Sequence, residues 1–286
     1  MANLKELRSR IISVSSTMQI TSAMKMVSAA KLSKAQEAIT AMRPYAEKLS
    51  ELLQSLSATL DSDQSSKYAE QREVNNVLIV AISSNRGLAG AFNSNIVKTV
   101  KRITAENYSG KNVEVMGIGK KAHDILRKTF DIYKNETEIY EDLSFDNAAV
   151  IAEDLMKQFV DGKYDKIVVV YNQFKNAATQ IVMEEQFLPI LPVESDENVV
   201  LDYIFEPSKE EIVEELIPKS LKMQIFKALR DSFASEHGAR MTAMHKATDN
   251  ATELRDGLKL SYNKARQASI TNEILEIVGG AEALNK

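Results

Sequence analysis

The stretch SEHGARMTAMHKATDNATELRDGLKLSYNKARQASITNEILEIVGGAEAL, Ser235–Leu284, decides the architecture. It contains no Pro, and no Gly lies between Gly257 and Gly279. Met244, Ala247, Ala251, Leu254, Leu258, Ala265 and Ala268 alternate by threes and fours, with Ser261 the one polar interruption, which is the spacing of a coiled-coil seam. At about 1.5 Å per residue such a helix runs on the order of 75 Å, too long to bury itself in a small domain. It needs a partner helix, and beyond that a larger surface.

The other end of the chain offers the partner. Stepping by three and four from Leu4 gives Leu7, Ile11, Val14, Met18, Thr21, Lys25, Ser28, Leu32, Ala35, Ile39, Met42, Ala46, Leu49, Leu53 and Leu56. All are apolar except the consecutive Thr21, Lys25 and Ser28. There the apolar residues shift to Ile20, Ala23, Met24, Val27 and Ala30. Two readings stand: a stutter in the coiled coil, or a segment whose outer face meets a different protein. The two terminal helices are expected to pair antiparallel.

Between them the pattern changes. Val77–Ile82, Val113–Ile118 and Ile167–Tyr171 are short, branched and apolar, as strands buried on both faces of a parallel sheet are. Helical stretches near Asn93–Glu106, Lys121–Thr129 and Asn147–Val160 alternate with them. The fold class expected is therefore α/β: a long antiparallel coiled coil of N- and C-terminal helices plus a central doubly wound α/β domain. The expected divisions are 1–58 for the first helix, 74–205 for the α/β (Rossmann-like) domain and 208–286 for the last helix. Ser57–Glu73 reads as a linker. Ile181–Leu191 and Val199–Phe205 are further strand candidates, the first ending at an edge marked by Pro189 and Pro192. Ser208-Lys-Glu-Glu211 matches a capping box, and Pro218 is expected to kink or restart the helix that follows.

Composition narrows the function. The 286 residues contain no Cys, which removes disulfides, thiol nucleophiles and thiolate metal sites. No apolar run approaches the roughly 18 residues that span a bilayer, and no signal or transit segment is evident, so a cytosolic or peripheral protein is expected. Net charge is −4, yet residues 1–43 carry seven Lys and Arg against Glu6 and Glu37, while 184–215 is strongly acidic. A basic long helix invites an acidic partner. Nucleic acid fits poorly, because no aromatics alternate with the basic residues to form a stacking platform.

Candidate chemistry is sparse. Ser83–Asn93 (SSNRGLAGAFN) follows a strand and precedes a helix, where a Gly-bearing turn could cradle a phosphate. It lacks the three-Gly dinucleotide spacing and the Gly-Lys-Ser/Thr ending, which favours a tight packing turn. Gly117-Ile-Gly-Lys-Lys121 reads the same way. His123, His237 and His245 form no metal-binding spacing. No catalytic residue, metal site or cofactor site is expected. On the last helix, Arg240 sits on the seam register, and Gln267, Thr271 and Glu273 crowd a face beside Ile270, Ile274 and Ile277.

At these residues the chain resembles the gamma subunit of the rotary, F-type ATP synthases of bacteria. The match lies in Arg10–Pro44, above all QITSAMKMVSAAK from Gln19 to Lys31, in Ser83–Asn95, and in Ser235–Leu284 with its Ile-Thr-x-Glu and closing Gly-Ala. The resemblance implies a non-catalytic rotor shaft, one copy per complex, inside three alpha and three beta subunits. It couples ion flow through the membrane c-ring to ATP synthesis or hydrolysis on beta. It implies contacts to beta from Met24, Lys25, Arg240, Gln267, Thr271 and Glu273. It also implies a foot at Tyr203, Phe205 and Glu206 against epsilon and the c-ring. A peripheral place on the cytoplasmic face of the inner membrane follows. The competing reading from the residues alone is a coiled-coil adaptor with a nucleotide-sensing α/β domain.

Overall fold

A computed structural model describes residues 4–57, 67–190 and 209–284. The chain forms α1 (Leu4–Ser57), β1 (Asn76–Ile82), α2 (Phe92–Asn107), β2 (Asn112–Ile118), α3 (Lys120–Leu126), β3 (Asp131–Glu136), α4 (Phe145–Val160), β4 (Lys166–Phe174), β5 (Gln180–Leu188) and α5 (Lys209–Leu284). It divides into two compact units within its long helices. One holds Met1–Ser28 and Met241–Lys286; the other holds Ala29–Arg240.

The larger unit is built on a five-stranded sheet of order β3-β2-β1-β4-β5. β1, β2, β3 and β4 run parallel, and β5 pairs antiparallel to β4. Side chains alternate across the strands. Leu78, Val80 and Ile82 face a core shared with Leu155, Met156 and Phe159 of α4 and Leu221, Ile225, Ala228 and Leu229 of α5. Val77, Ile79 and Ala81 face the opposite core, beneath Ile96, Val100 and Ile103 of α2 and Leu126 of α3. Both faces of β1 are fully covered, which is why its sequence is an unbroken apolar run.

Three expectations change. Asp131–Glu136 is a strand that the sequence reading passed over: it is an edge, half-exposed and charged, with a register shift in its pairing to β2. Pro218 does not interrupt α5, which is continuous from Lys209. A Pro inside a helix costs about 3 kcal/mol, and burial of Leu221, Ile225, Ala228 and Leu229 in the core outweighs that. Part of the expected linker is packed: Tyr68 accepts a hydrogen bond from the Ile190 amide (2.9 Å), and Arg72 donates to the Phe159 carbonyl (3.1 Å). The expected strand 199–205, the capping residue Ser208 and the foot residues Tyr203, Phe205 and Glu206 lie outside the described residues.

The smaller unit is an antiparallel helix pair. Thr21 meets Thr248 (2.8 Å), Met18 meets Thr252 (3.3 Å) and Lys25 meets His245 (3.4 Å), so α1 and α5 run in opposite directions. From α1, Leu4, Leu7, Ile11, Val14, Met18, Thr21, Lys25 and Ser28 are buried or half-buried. From α5 the matching row is Ala265, Tyr262, Leu258, Arg255, Ala251, Thr248, Met244 and Met241. The seam on α1 therefore runs straight through Thr21, Lys25 and Ser28, with no stutter. The seam on α5 differs from the expected one. Leu254 is 55% exposed and Ser261 and Ala268 face solvent, while Arg255 and Tyr262 take the inner positions.

Candidate functional site

Two regions hold the residues that the sequence singled out. The first is the turn after β1. In a doubly wound sheet, ligands bind where neighbouring crossovers diverge, and here that point lies between the carboxyl ends of β1 and β4. The turn's serine and asparagine side chains are bonded within the unit. The Ser84 amide donates to Asn93 Oδ1 (3.0 Å), and the Ser84 hydroxyl donates to the Arg86 carbonyl (2.6 Å). Asn93 Nδ2 returns a bond to the Ser84 oxygen (2.8 Å). The buried Ser83 hydroxyl accepts from the Ala122 amide (3.0 Å), and the Ser83 carbonyl accepts from Tyr140 (2.6 Å).

What the turn presents is carbonyl oxygen. Arg240 donates from Nη2 to the Arg86 carbonyl (3.0 Å) and from Nε to the Gly87 carbonyl (3.3 Å). Its Nη1 pairs with Glu236 one helical turn away at 2.7 Å, and both side chains are at most 10% exposed. Two carbonyls of this turn thus hold a guanidinium from the chain's own last helix. The second Gly turn is filled as well. Gly119 adopts φ +96°, and its α-carbon approaches the Ser83 carbonyl so closely that an added Cβ would sit 2.2 Å from the oxygen. Among the described residues, no cluster of three His, Cys, Asp or Glu could hold a metal.

Arg240 is thus a buried residue of the larger unit, and the Glu-x-x-x-Arg spacing from Glu236 was the readable signal for it. Burial lifts the Glu236 carboxyl above its ordinary range, against the opposing pull of Arg240, Lys31 and Arg86. His237 beside it is buried against Phe233, ring centroids 4.5 Å apart. Its Nδ1 lies 3.4 Å from Arg240 Nη1, and its Nε2 is buried without a partner among the described residues. Burial, then Arg240 and Lys31, lower its pKa to about 3. An unfolded His titrates near 6.5. Below that pH the unfolded chain takes up a proton that the native chain refuses, so stability is full above about 6.5 and falls as pH drops toward 3. The slope is about 1.4 kcal/mol per pH unit. Between pH 7.5 and 5, the wild-type chain is expected to lose about 2 kcal/mol more than His237→Gln. Guanidinium unfolding at the two pH values checks this; equal losses would contradict it.

The second region is the surface of the smaller unit. Met24 and Lys25 are half-buried on α1, with Lys25 Nζ 3.4 Å from His245 Nδ1. Ile20, Met26 and Val27 are 60%, 65% and 58% exposed on the outer side of the same segment. On α5 the pairing steps end at Ala265 opposite Leu4. From Arg266 to Ala281 every residue except Ser269 is exposed, Gln267, Thr271 and Glu273 included. Thr271 donates to the Gln267 carbonyl (2.9 Å), and Glu273 accepts from Ser269 (3.4 Å), contacts within the helix itself. Ile270, Ile274, Leu275, Ile277 and Val278 are all exposed beside them. Apolar side chains in contiguous exposed rows mark a surface that another molecule covers.

A family model described as ATP synthase matches residues 3–284. The chain is 78% identical over its full length to the ATP synthase gamma chain of Christiangramia forsetii, covering all of that protein. It is 70% identical to the ATP synthase gamma chain of Flavobacterium psychrophilum, over 99% of both chains. Among solved structures, it is similar to a chain of the central stalk and c-ring of Tetrahymena thermophila mitochondrial ATP synthase. That likeness has a TM-score of 0.60 at 27% identity, over 80% of this chain and 99% of the other. A chain of the Euglena gracilis mitochondrial ATP synthase rotor shares the fold with a TM-score of 0.69 at 24% identity, over 93% and 98%.

Proposed function

The chain belongs to the ATP synthase gamma-chain family, and from that premise we propose how its two units serve the complex. It is the central shaft of the rotor, coupling ion flow to ATP synthesis or hydrolysis carried out on other subunits. In this reading the paired helices stand inside a ring of three alpha and three beta subunits, one shaft to each ring. The unpaired end of α5 turns in an apolar sleeve formed by that ring. Met24, Lys25, Gln267, Thr271 and Glu273 supply contacts to beta, and the segment with Tyr203, Phe205 and Glu206 meets epsilon and the c-ring. The complex sits on the cytoplasmic face of the inner membrane. This chain is peripheral, and among its described residues no helix is long and apolar enough to cross a bilayer.

The observation that carries the reading is the exposed apolar end of α5 from Ile270 to Val278. Apolar contact is non-directional, so rotation there breaks no fixed set of hydrogen bonds. Two unequal helices have no threefold symmetry, so they contact three identical beta subunits differently and can bias their states. The nucleotide-sensing alternative has less support, because the turn lacks the dinucleotide and P-loop glycine spacing and two of its carbonyls hold Arg240.

Reconstitution tests the proposal. The chain mixed with alpha and beta subunits is expected to join as one copy per three of each and to raise ATPase activity. Removing residues 270–286 is expected to lower ATP-driven ion pumping on the order of tenfold, the scale set by losing a few apolar anchors, with unfolding of the isolated chain unchanged. Failure to associate would refute the placement, and undiminished pumping by the truncated chain would refute the role of the tip.

A further inference from the structure

The polar interruption of the α1 seam is a hydrogen-bonded layer. Thr21 is 8% exposed and Ser28 3%, so these residues lie inside the pair although their chemistry suits a surface. The hydroxyls of Thr21 and Thr248 are 2.8 Å apart, and Thr248 also reaches the Met244 carbonyl at 2.8 Å. With one proton on each oxygen, two relays satisfy the pair: Thr21 donates to Thr248, which donates to Met244, or Thr248 donates to Thr21, which donates to the Met18 carbonyl. One turn away, the Thr252 hydroxyl, which donates to the Thr248 carbonyl (2.9 Å), lies 3.3 Å from the Met18 sulfur, and Arg255 Nη1 donates to that sulfur (3.4 Å). Toward Leu4, the layers of Ile11 with Leu258 and Leu7 with Tyr262 pack mainly by shape, and on the other side Lys25 approaches His245 (3.4 Å).

Apolar layers tolerate sliding by whole turns, because any apolar residue can replace another. A single polar layer does not, and that is how a buried polar residue specifies register in coiled coils, at some cost in stability. We infer that the Thr21–Thr248 pair, supported by Met18, Thr252 and Arg255, is the register lock of the helix pair. A slip of one turn moves α5 by about 5.4 Å along α1. A four-residue slip that sets Met244 opposite Thr21 removes the cross-helix hydroxyl, whereas the opposite slip brings Thr252 to it. Thr21 keeps its own-helix acceptor, the Met18 carbonyl at 3.1 Å. The slipped state is therefore disfavoured without being forbidden, and the preference is measurable. The inference concerns the pairing of the helices and stands whether or not the chain works as a rotor.

The chain has no native Cys, so disulfide trapping reads register directly. In the full-length chain, Ile11→Cys with Leu258→Cys reports the native register. Ile11→Cys with Leu254→Cys, four residues back and about 6 Å along the axis, bridges only after the slip that sets Met244 opposite Thr21, since a disulfide needs its Cα atoms within about 7 Å. Under mild oxidation the native pair is expected to close at least tenfold faster than the slipped pair. Adding Thr21→Val and Thr248→Val is expected to bring the two within about twofold while leaving the melting temperature equal or higher. Thr21→Ser with Thr248→Ser, which keeps both hydroxyls, is expected to retain the native preference. An unchanged preference in the Val variant overturns the inference. So does loss of helicity in it, which would make the layer a stability element and not a register element.

Discussion

Replacing Arg240 with alanine is expected to destabilise the larger unit by about 3–5 kcal/mol, the usual cost of stranding one member of a buried ion pair. Glu236 would keep a charge at a site where burial already lifts its pKa, and the carbonyls of Arg86 and Gly87 would lose their donor. The sign with pH follows from that carboxyl. The native state would bind a proton before the unfolded state does, so the variant should regain stability as pH falls from neutral toward the carboxylate range. Arg240→Ala combined with Glu236→Gln should recover much of the loss at pH 7, because an amide strands no charge. Chemical denaturation of the three chains measures all of this. A single variant as stable as the wild type would show that the pair has no structural role. The sequence reading placed Arg240 on the seam register as a contact to beta; within the larger unit it is buried against Glu236.

The second large effect is expected at Gly119. An alanine there meets the Ser83 carbonyl oxygen at 2.2 Å and its carbon at 2.7 Å, with a backbone φ of +96° that side chains disfavour. Neither partner is a flexible side-chain end, so the β2–α3 turn must move away from the β1 turn. We expect a loss of about 4 kcal/mol or more, seen as a fall of about 10 °C in the unfolding midpoint. Gly110→Ala is the control. It shares a positive φ of +77° but nothing lies within 4 Å of the added carbon, so only backbone strain of about 1 kcal/mol is at stake. Equal effects at the two positions would show that strain, and not the close approach, sets the cost.

The difference between what was readable and what was not has a physical basis. β1, β2 and β4 were legible because strands buried on both faces must be apolar throughout. β3 was not, since an edge strand with Lys134, Glu136 and a half-buried Tyr133 carries no such signature. The antiparallel pairing was legible from period alone, but the inner row of α5 was not. Leu254 satisfies an apolar seam pattern and yet faces outward, while Thr248, Arg255 and Tyr262 line the interior. A helix that must satisfy one partner within its own chain and a second outside it carries two apolar rows, and spacing cannot say which is which. The same ambiguity hid Arg240: its position on the register was correct, but burial against Glu236 is a property of the folded unit.

The outward apolar row also bears on how a cell must supply this protein. Ile20, Met26, Val27, Leu254, Leu260, Ile274, Leu275 and Ile277 are each more than half exposed on the paired helices or their unpaired end. A copy made in excess of its assembly partners therefore remains an orphan with a sticky flank, prone to self-association and to quality-control proteases. On the proposed function, its synthesis is held in proportion to the subunits that would cover that flank, and an overexpressed chain gains solubility from co-production with them more than from any repair of its own core.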